Sequence, residues 1–108
     1  MQLPVKNSRN EVVFISADEV LYLIREGRDI FVHTSKTRYS IINSLNDFEA
    51  LLQPSGFEKL DKSNLVNMEK VMKWSSVENK AYFDKEDKSI KVHVSRRNQE
   101  KLAGYPEL

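Results

Sequence analysis

The chain has 108 residues, of which 31% are charged and 40% hydrophobic, a composition typical of a globular domain with a hydrophobic core. It contains no cysteine, which excludes disulfide bonds, thiolate catalysis and cysteine-based zinc sites and fits a reducing cytoplasm. No apolar run approaches the ~20 residues that span a bilayer, so we expect one cytoplasmic domain over residues 1–108 with no membrane partner. The formal net charge is +1, so the position of the charges matters more than their sum.

The first part of the chain predicts a meander of antiparallel strands. Short apolar runs are separated by polar turns of a few residues, and such local connections favour antiparallel pairing. The continuous run Val20 to Ile24 further indicates burial on both faces. The segment Gln2 to Asn10 lacks a strand pattern and is expected to be unstructured. The predicted strands are Glu11 to Ile15, Val20 to Ile24, Ile30 to Thr34 and Thr37 to Ile42.

One short helix is predicted in the middle of the chain, beginning at Asn43 or Ser44. The segment Ser44 to Asp47 resembles a capping box in which aspartate replaces glutamate. Pro54-Ser55-Gly56 ends the helix. Four apolar residues between these points recur at helical spacing on one face, namely Leu45, Phe48, Leu51 and Leu52.

The second part of the chain returns to short strands. A polar hairpin loop is predicted at Asp84 to Asp87, and a short C-terminal helix is predicted between Ser95 and Gly104. The fold class is therefore mainly β, with one short mid-chain helix and one short C-terminal helix. The strands predicted here are Glu58 to Leu60, Val71 to Ser75, Lys80 to Phe83 and Lys88 to Val94.

Basic residues concentrate before and within the predicted C-terminal helix. From Lys88 to Arg97 there is no acidic residue. Ser95 has the character of a helix N-cap, which would place Arg96 and Arg97 in the first helical turn. The helix dipole disfavours cations there by a few tenths to ~1 kcal/mol each. A segment that accepts this cost favours an anionic partner, and we expect that partner to be DNA.

Several short sequence patterns follow one another in a fixed order between Val12 and Leu102. They are Asp18 to Leu23 (Asp-Glu-Val-Leu-Tyr-Leu), Glu26-Gly27, Phe31 to Thr34, Ser44-Leu45, Gly56-Phe57, Ser63 to Asn67 and Val94 to Arg97. In this order the chain resembles the LytTR-type DNA-binding domain, the output module of many bacterial response regulators. The resemblance covers a core of about residues 12–102. It implies an elongated fold of several antiparallel sheets, in which loops at one edge, not a recognition helix, enter successive major grooves.

The resemblance implies three DNA-contacting regions, and the first is the hairpin of residues 25–29. Its candidate contacts are Arg25 and Arg28. Arg28 is either a solvated turn residue or a residue that enters a groove. Gly27 is expected to supply the positive φ that the turn needs.

The second region comprises Lys62, Ser63 and Asn64. Lys62 could neutralise a phosphate or reach a guanine, while the other two could hydrogen-bond to the DNA backbone or a base edge, or only satisfy local backbone groups in a turn. The chain departs from the family at Asp61, where histidine is usual, and at Lys62, where arginine or asparagine is usual. Both departures bear on the base that this loop contacts. Asp61 would repel phosphate, so we expect it to pair with a nearby lysine, and Asn67 is expected to cap the following turn.

The third region comprises Arg96 and Arg97, which match the family's Ser-Arg-Arg pattern. A guanidinium can pair bidentately with O6 and N7 of guanine, so Arg97 is the leading candidate for base recognition. The alternative is an exposed arginine on a terminal helix. Arg96 is expected to contact phosphate, because adjacent helical residues do not face the same way.

Other classes of site are less well supported by the sequence. His33 and His93 lack a second ligand at metal-binding spacing, and the acidic loop at Asp84 lacks the length and central glycine of a calcium loop. No nucleophile–base pair or phosphate-binding loop is present, so we expect no enzymatic activity and no cofactor. The aromatic residues are expected in the core: Tyr22, Phe31, Tyr39, Phe48 and Trp74.

The sequence therefore predicts sequence-specific binding to double-stranded promoter DNA, with two copies on repeated half-sites. Members of the family usually follow a receiver domain, so the chain is expected to be a fragment of a larger regulator or a stand-alone member. One alternative is an RNA or single-strand binder, which needs aromatics exposed on a sheet face. Another is a protein-interaction module that adds a partner strand to an uncharged sheet edge.

Overall fold

The computed structural model describes residues 1–41 and 44–108, and these contain ten strands in two antiparallel sheets. The larger sheet has the strand order β2-β1-β5-β4-β3-β7-β6, and the smaller has the order β10-β9-β8. The larger sheet comprises β1 (Gln2–Lys6), β2 (Val12–Ser16), β3 (Val20–Glu26), β4 (Asp29–Thr34), β5 (Arg38–Ile41), β6 (Phe57–Glu58) and β7 (Asn64–Asn67). The smaller comprises β8 (Lys73–Ser75), β9 (Lys80–Tyr82) and β10 (Lys91–His93).

The predicted mid-chain helix is confirmed as α1, Leu45–Leu52. Ser44 is its N-cap, and the Ser44 hydroxyl accepts a hydrogen bond from the Asp47 N–H at 3.1 Å. Ile42 and Asn43, the predicted end of a strand and the alternative helix start, lie outside the described residues. The helix continues into a 3₁₀ turn, Gln53–Ser55, and the chain leaves it through Gly56, whose φ is 87°.

The buried face of α1 is narrower than the sequence predicted. Leu45, Phe48 and Leu52 are buried, whereas Leu51 is 47% exposed. Consecutive residues of an α-helix are turned by about 100°, so Leu51 points away from the face that Leu52 buries. The buried face packs against the larger sheet to form the first of two hydrophobic clusters.

Strand β3, in the interior of the larger sheet, is buried on both faces, as its continuous apolar run predicted. Leu23 belongs to the cluster beneath α1, whereas Tyr22 belongs to the second cluster, between the two sheets. The neighbouring strand β7 divides in the same way, since Leu65 faces the first cluster and Val66 the second. Trp74 of β8 is buried in the second cluster, which confirms that it is a core residue.

Two parts of the sequence interpretation were wrong. The segment expected to be unstructured contains β1, which pairs antiparallel with β2 and buries Leu3 and Val5. No strand was predicted between Leu60 and Val71, but Asn64–Asn67 forms the buried strand β7, paired with β3 and β6. Asn67 still caps the next turn as predicted, because its side chain accepts a hydrogen bond from the Glu69 N–H at 3.3 Å.

The C-terminal helix is present as a 3₁₀ helix, Arg96–Leu102, and it ends before Gly104. Backbone bonds three residues apart join Ser95 to Asn98 and Glu100 to Ala103. The molecule measures 39 × 27 × 27 Å along its principal axes, in keeping with the expected elongation. None of the helices in the described part of the chain has the length and hydrophobicity that crossing a bilayer requires.

Candidate nucleic-acid interface

The three predicted contact regions are neighbours in the structure. The backbone N–H of Arg25, at the end of β3, donates to the carbonyl oxygen of Ser63 at 2.8 Å. The backbone N–H of Ser95 donates to the carbonyl oxygen of Leu60, also at 2.8 Å. The loop after β6 therefore lies between the β3–β4 hairpin and the start of the C-terminal 3₁₀ helix.

An open groove of about 540 Å³ lies between this loop and the 3₁₀ helix. We call it the Lys62–Arg97 groove. Lys62 and Arg97 are exposed, and neither forms an ion pair with any described residue. Arg96 is also exposed but does not line the groove. The lining residues are Lys59, Asp61, Lys62, Ser95, Arg97 and Asn98.

Asn64 shapes the loop from beneath. Its side-chain oxygen accepts hydrogen bonds from the N–H groups of Leu60 and Asp61 at 3.0 and 2.9 Å. Its side-chain nitrogen donates to the carbonyl oxygen of His93 at 2.8 Å. The residue is 1% exposed, so it has no surface with which to touch a base or a phosphate. The burial and hydrogen bonds of Asn64 favour a structural role in the loop over the predicted direct contact with DNA.

The partner of Asp61 also differs from the expected one. The hydroxyl of Ser63 donates to Oδ2 of Asp61 at 3.0 Å, and no lysine among the described residues lies within 4.0 Å of the carboxylate. The predicted Asp61–lysine pair is therefore wrong. Both side chains are half-buried, and the Asp61 carboxylate lies at the rim of the groove beside Lys62.

Ser95 precedes the 3₁₀ helix as predicted, but its side chain does not cap it. Its hydroxyl donates instead to the carbonyl oxygen of Leu60 at 3.2 Å. The role of Ser95 is thus to attach the helix start to the loop 35 residues earlier.

The hairpin between β3 and β4 presents two exposed arginines, Arg25 and Arg28. Gly27 has a φ of 65°, which confirms its predicted role. Glu26 lies 3.6 Å from Arg38, whose guanidinium also stacks on the Phe31 ring at 4.1 Å. Glu26 thus pairs with Arg38, and neither Arg25 nor Arg28 forms an ion pair with any described residue, so their charges remain available to an anionic partner.

The family model of the LytTr DNA-binding domain matches residues 10–105. The chain belongs to this family of DNA-binding domains. A solved structure from Bacillus cereus, described as the LytTr DNA-binding domain of a methyl-accepting/DNA response regulator, superposes with a TM-score of 0.77. The two are 18% identical, and the match covers 95% of this chain and 94% of the other. At this identity the likeness concerns the fold alone. No curated protein matches the chain significantly.

The sequence did not identify every residue that shapes this site of the LytTR domain. Asn98 lines the groove and donates through its side-chain nitrogen to the Leu60 carbonyl oxygen and the Ser95 hydroxyl. Lys59 lines it too, but its ammonium is held by Asn46 at 2.9 Å and Glu49 at 3.7 Å. Asn98 follows the two arginines and was within reach of sequence reasoning. The partners of Lys59 lie on α1, so they could be identified only from the folded structure.

Within the described part of the LytTR domain, the aromatic residues do not form a stacking surface. Tyr22 and Phe48 are buried, and Phe31 and Tyr39 are half-buried. Phe14, on the edge strand β2, is the large aromatic that is exposed among the described residues, at 66%. One exposed ring gives little support to binding of RNA or a single strand, because that function needs several exposed aromatic rings. No cluster of three or more acidic or histidine side chains suited to a metal occurs in residues 1–41 and 44–108.

Proposed function

We propose that this LytTR domain binds double-stranded promoter DNA sequence-specifically, with the Lys62–Arg97 groove facing a major groove. The observation that carries the proposal is that Lys62 and Arg97, far apart in sequence, line one open groove with no acid paired to either. Two further arginines, Arg25 and Arg28, stand on the adjacent hairpin. An arrangement of unpaired cations at the end of several strands suits the phosphates and base edges of a duplex.

Within this proposal, Arg97 recognises a base. Its guanidinium can donate two parallel hydrogen bonds to O6 and N7 of a guanine, which discriminates against another base by roughly 1–3 kcal/mol. Lys62, at the opposite wall of the groove, neutralises a phosphate or donates to a second guanine. Arg96 lies outside the groove and contacts phosphate, and Arg25 and Arg28 reach the next groove along the duplex. Ser63 contributes its backbone and, through Asp61, the shape of the loop.

We further propose that two copies bind repeated half-sites, and that the domain serves as the output of a bacterial response regulator that carries a receiver domain. The family assignment supports this extension, because its members include output domains of such regulators. Measuring the stoichiometry on duplexes with one and two half-sites tests the copy number. A single copy per two-site duplex at saturating protein concentration would contradict it.

The proposal is tested by selection from a pool of random duplex DNA, followed by sequencing of the retained fraction. The wild-type protein should enrich a short repeated motif, and Arg97→Ala should lose preference at one position of it. Lys36→Ala is the matched control, since Lys36 is exposed in the turn between β4 and β5, at the other end of β4 from the Arg28 hairpin. It should enrich the same motif as the wild type. No binding to any duplex at low salt would overturn the proposal.

A second candidate function is protein binding at the edge strand β2. This strand ends the larger sheet, carries no charged residue, and exposes Val12 at 61% and Phe14 at 66%. Edge strands that expose apolar side chains without a protecting charge readily accept a further strand. The same selection separates the two functions, because a protein-interaction module would be indifferent to DNA.

A further inference from the structure

The carbonyl oxygen of Leu60 is the point at which the two walls of the Lys62–Arg97 groove are joined. It accepts hydrogen bonds from the Ser95 backbone N–H at 2.8 Å, the Ser95 hydroxyl at 3.2 Å and the Asn98 side-chain nitrogen at 3.2 Å. Asn98 also donates to the Ser95 hydroxyl at 2.7 Å. A carbonyl oxygen has two lone pairs and can accept more than one hydrogen bond. Because three donors surround the Leu60 oxygen, it is held from several sides at once.

Leu60 itself has little freedom to move. Its side chain is 0% exposed and packs in the cluster between the two sheets. Its backbone N–H donates to the side-chain oxygen of Asn64 at 3.0 Å. A second connection runs beside the first, since the Lys101 ammonium donates to the Lys59 carbonyl oxygen at 2.9 Å. The loop and the 3₁₀ helix are therefore attached to each other at a residue that the core already fixes.

The attachment lies close to the proposed contacts on both sides. Lys62 is two residues beyond Leu60, and Arg97 is two residues beyond Ser95. Successive nucleotides of one strand rise by about 3.4 Å along the helix axis, so a shift of that size between the walls would misplace one contact by a full step. The geometry of the attachment thus bears directly on which two bases can be contacted together.

We propose that Asn98 is a positioning residue, which fixes the spacing between the base contacted from the Lys62 loop and the base contacted by Arg97. This inference rests on the proposed function and adds to it a determinant of spacing. Asn98 acts through the Leu60 carbonyl and the Ser95 hydroxyl, because its side-chain nitrogen is committed to these two oxygens. Removing the amide leaves both walls in place but lets them shift relative to each other.

The test uses the motif selected by the wild-type protein. One base position is assigned to each wall as the position whose preference is lost in Lys62→Ala or in Arg97→Ala. If Lys62→Ala loses no base preference, Lys62 contacts only phosphate, and the role of Asn98 in spacing two base contacts is overturned. Duplexes are then made in which these two positions are moved closer or further apart by one base pair. The wild-type protein should bind the native spacing about tenfold more tightly than either altered spacing, the usual effect of one misplaced contact. Asn98→Ala should reduce this preference to about threefold or less while both base identities are kept.

Gln99→Ala is the matched control for the loss of an amide. Gln99 adjoins Asn98 on the same helix, is half-buried, and donates to Asn79 rather than to Leu60. It should keep the full spacing preference. Ser95→Ala is the second variant in case Asn98→Ala does not fold, as judged by circular dichroism and thermal unfolding. It removes the hydroxyl but keeps the Ser95 N–H bond to Leu60, so it should lower the spacing preference by a smaller factor.

The experiment distinguishes failure of the proposed function from failure of the positioning role of Asn98. If the wild-type protein binds no duplex, the proposed function fails, and this inference fails with it. If the wild-type protein selects a motif and a folded Asn98→Ala or Ser95→Ala protein keeps the full spacing preference, only the positioning role is overturned. If Asn98→Ala loses one base identity and keeps the spacing preference, Asn98 is a DNA contact, and the positioning role is again overturned.

Discussion

The imidazole of His33 stacks on the ring of Tyr22 with a centroid distance of 4.6 Å and an angle of 15° between the planes. Tyr22 in turn stacks on Phe83, which follows β9, at 5.3 Å. The three rings connect β4 and β3 of the larger sheet with the smaller sheet. Nε2 of His33 is buried and has no hydrogen-bond partner among the described residues. Burial, together with the nearby Arg38 charge and against the opposing effect of Glu26, lowers the pKa of His33 below its usual 6.5.

This stack makes the stability of the domain sensitive to mild acid. Because the pKa of His33 is lowered on folding, the unfolded chain binds more protons between the folded pKa and 6.5, so stability rises with pH in that window. The free energy of unfolding, measured with urea, should therefore fall as the pH is lowered from about 7.5 through 6.5. His33→Gln should flatten this dependence. The exposed His93 is the control, and His93→Gln should behave like the wild type. Equal pH dependence in wild type and His33→Gln would contradict the assignment.

Asn64 should matter for stability rather than for direct contact with DNA. Asn64→Ala removes an acceptor for two backbone N–H groups and a donor to His93, and leaves buried polar groups unpaired. Each such loss costs about 1–3 kcal/mol, so we expect at least that destabilisation in urea unfolding. Ser63→Ala, in the same loop, removes the single hydrogen bond to Asp61 and should cost less, about 0.5–1.5 kcal/mol. If Asn64→Ala were as stable as Ser63→Ala, the structural role would be wrong.

The Asp61 carboxylate should weaken binding to phosphates. Asp61→Asn keeps an oxygen that can accept the Ser63 hydrogen bond but removes the negative charge beside Lys62. With the screening of bulk water, two unit charges 4 Å apart interact by about 1 kcal/mol, so affinity for random duplex DNA should rise at least a few-fold at low salt. The gain should shrink at high salt. Fluorescence anisotropy measures both. Asp18→Asn, at an exposed residue before β3, should have no such effect. An unchanged or lower affinity of Asp61→Asn would contradict the prediction.

Arg96 is expected to contact phosphate and therefore to act without regard to sequence. Arg96→Ala should weaken binding to the selected motif and to random duplexes by the same factor. It should also reduce the slope of log affinity against log salt concentration by about one, because one fewer counterion is released. Lys36→Ala should leave the slope unchanged. A loss confined to the selected motif would instead make Arg96 a base contact.

The elements that the sequence predicted well are those whose pattern is local. The continuous apolar run Val20 to Ile24 predicts burial on both faces without reference to any distant residue. The N-cap hydrogen bond of Ser44 likewise joins residues that are close in sequence. Strand β1 was missed because its alternation contains only two apolar residues, and Pro4, a residue that argues against a strand, lies between them. Leu3 and Val5 become buried positions of a strand only when the segment pairs with β2.

Strand β7 was missed for a different reason. Asn64 and Asn67 at its ends favour turns in isolation, but their side chains bond to the carbonyl oxygens of His93 and Val20. The candidate site shows the same limit. The resemblance indicated which residues to consider, whereas the groove depends on the contact between Leu60 and Ser95, which are 35 residues apart. Long-range hydrogen bonds of this kind have no local sequence pattern.

The most direct test of base recognition by Arg97 is a double-mutant cycle between the protein and the DNA. The guanine assigned to Arg97 is replaced by 7-deazaguanine, which lacks the N7 acceptor, and dissociation constants are measured for wild type and Arg97→Ala on both duplexes. The substitution removes one of the two hydrogen bonds of the bidentate contact, so the wild-type protein should lose part of the roughly 1–3 kcal/mol that the whole contact contributes. Arg97→Ala should bind both duplexes equally. An equal loss in both proteins would show that another group contacts this base and would contradict the role of Arg97.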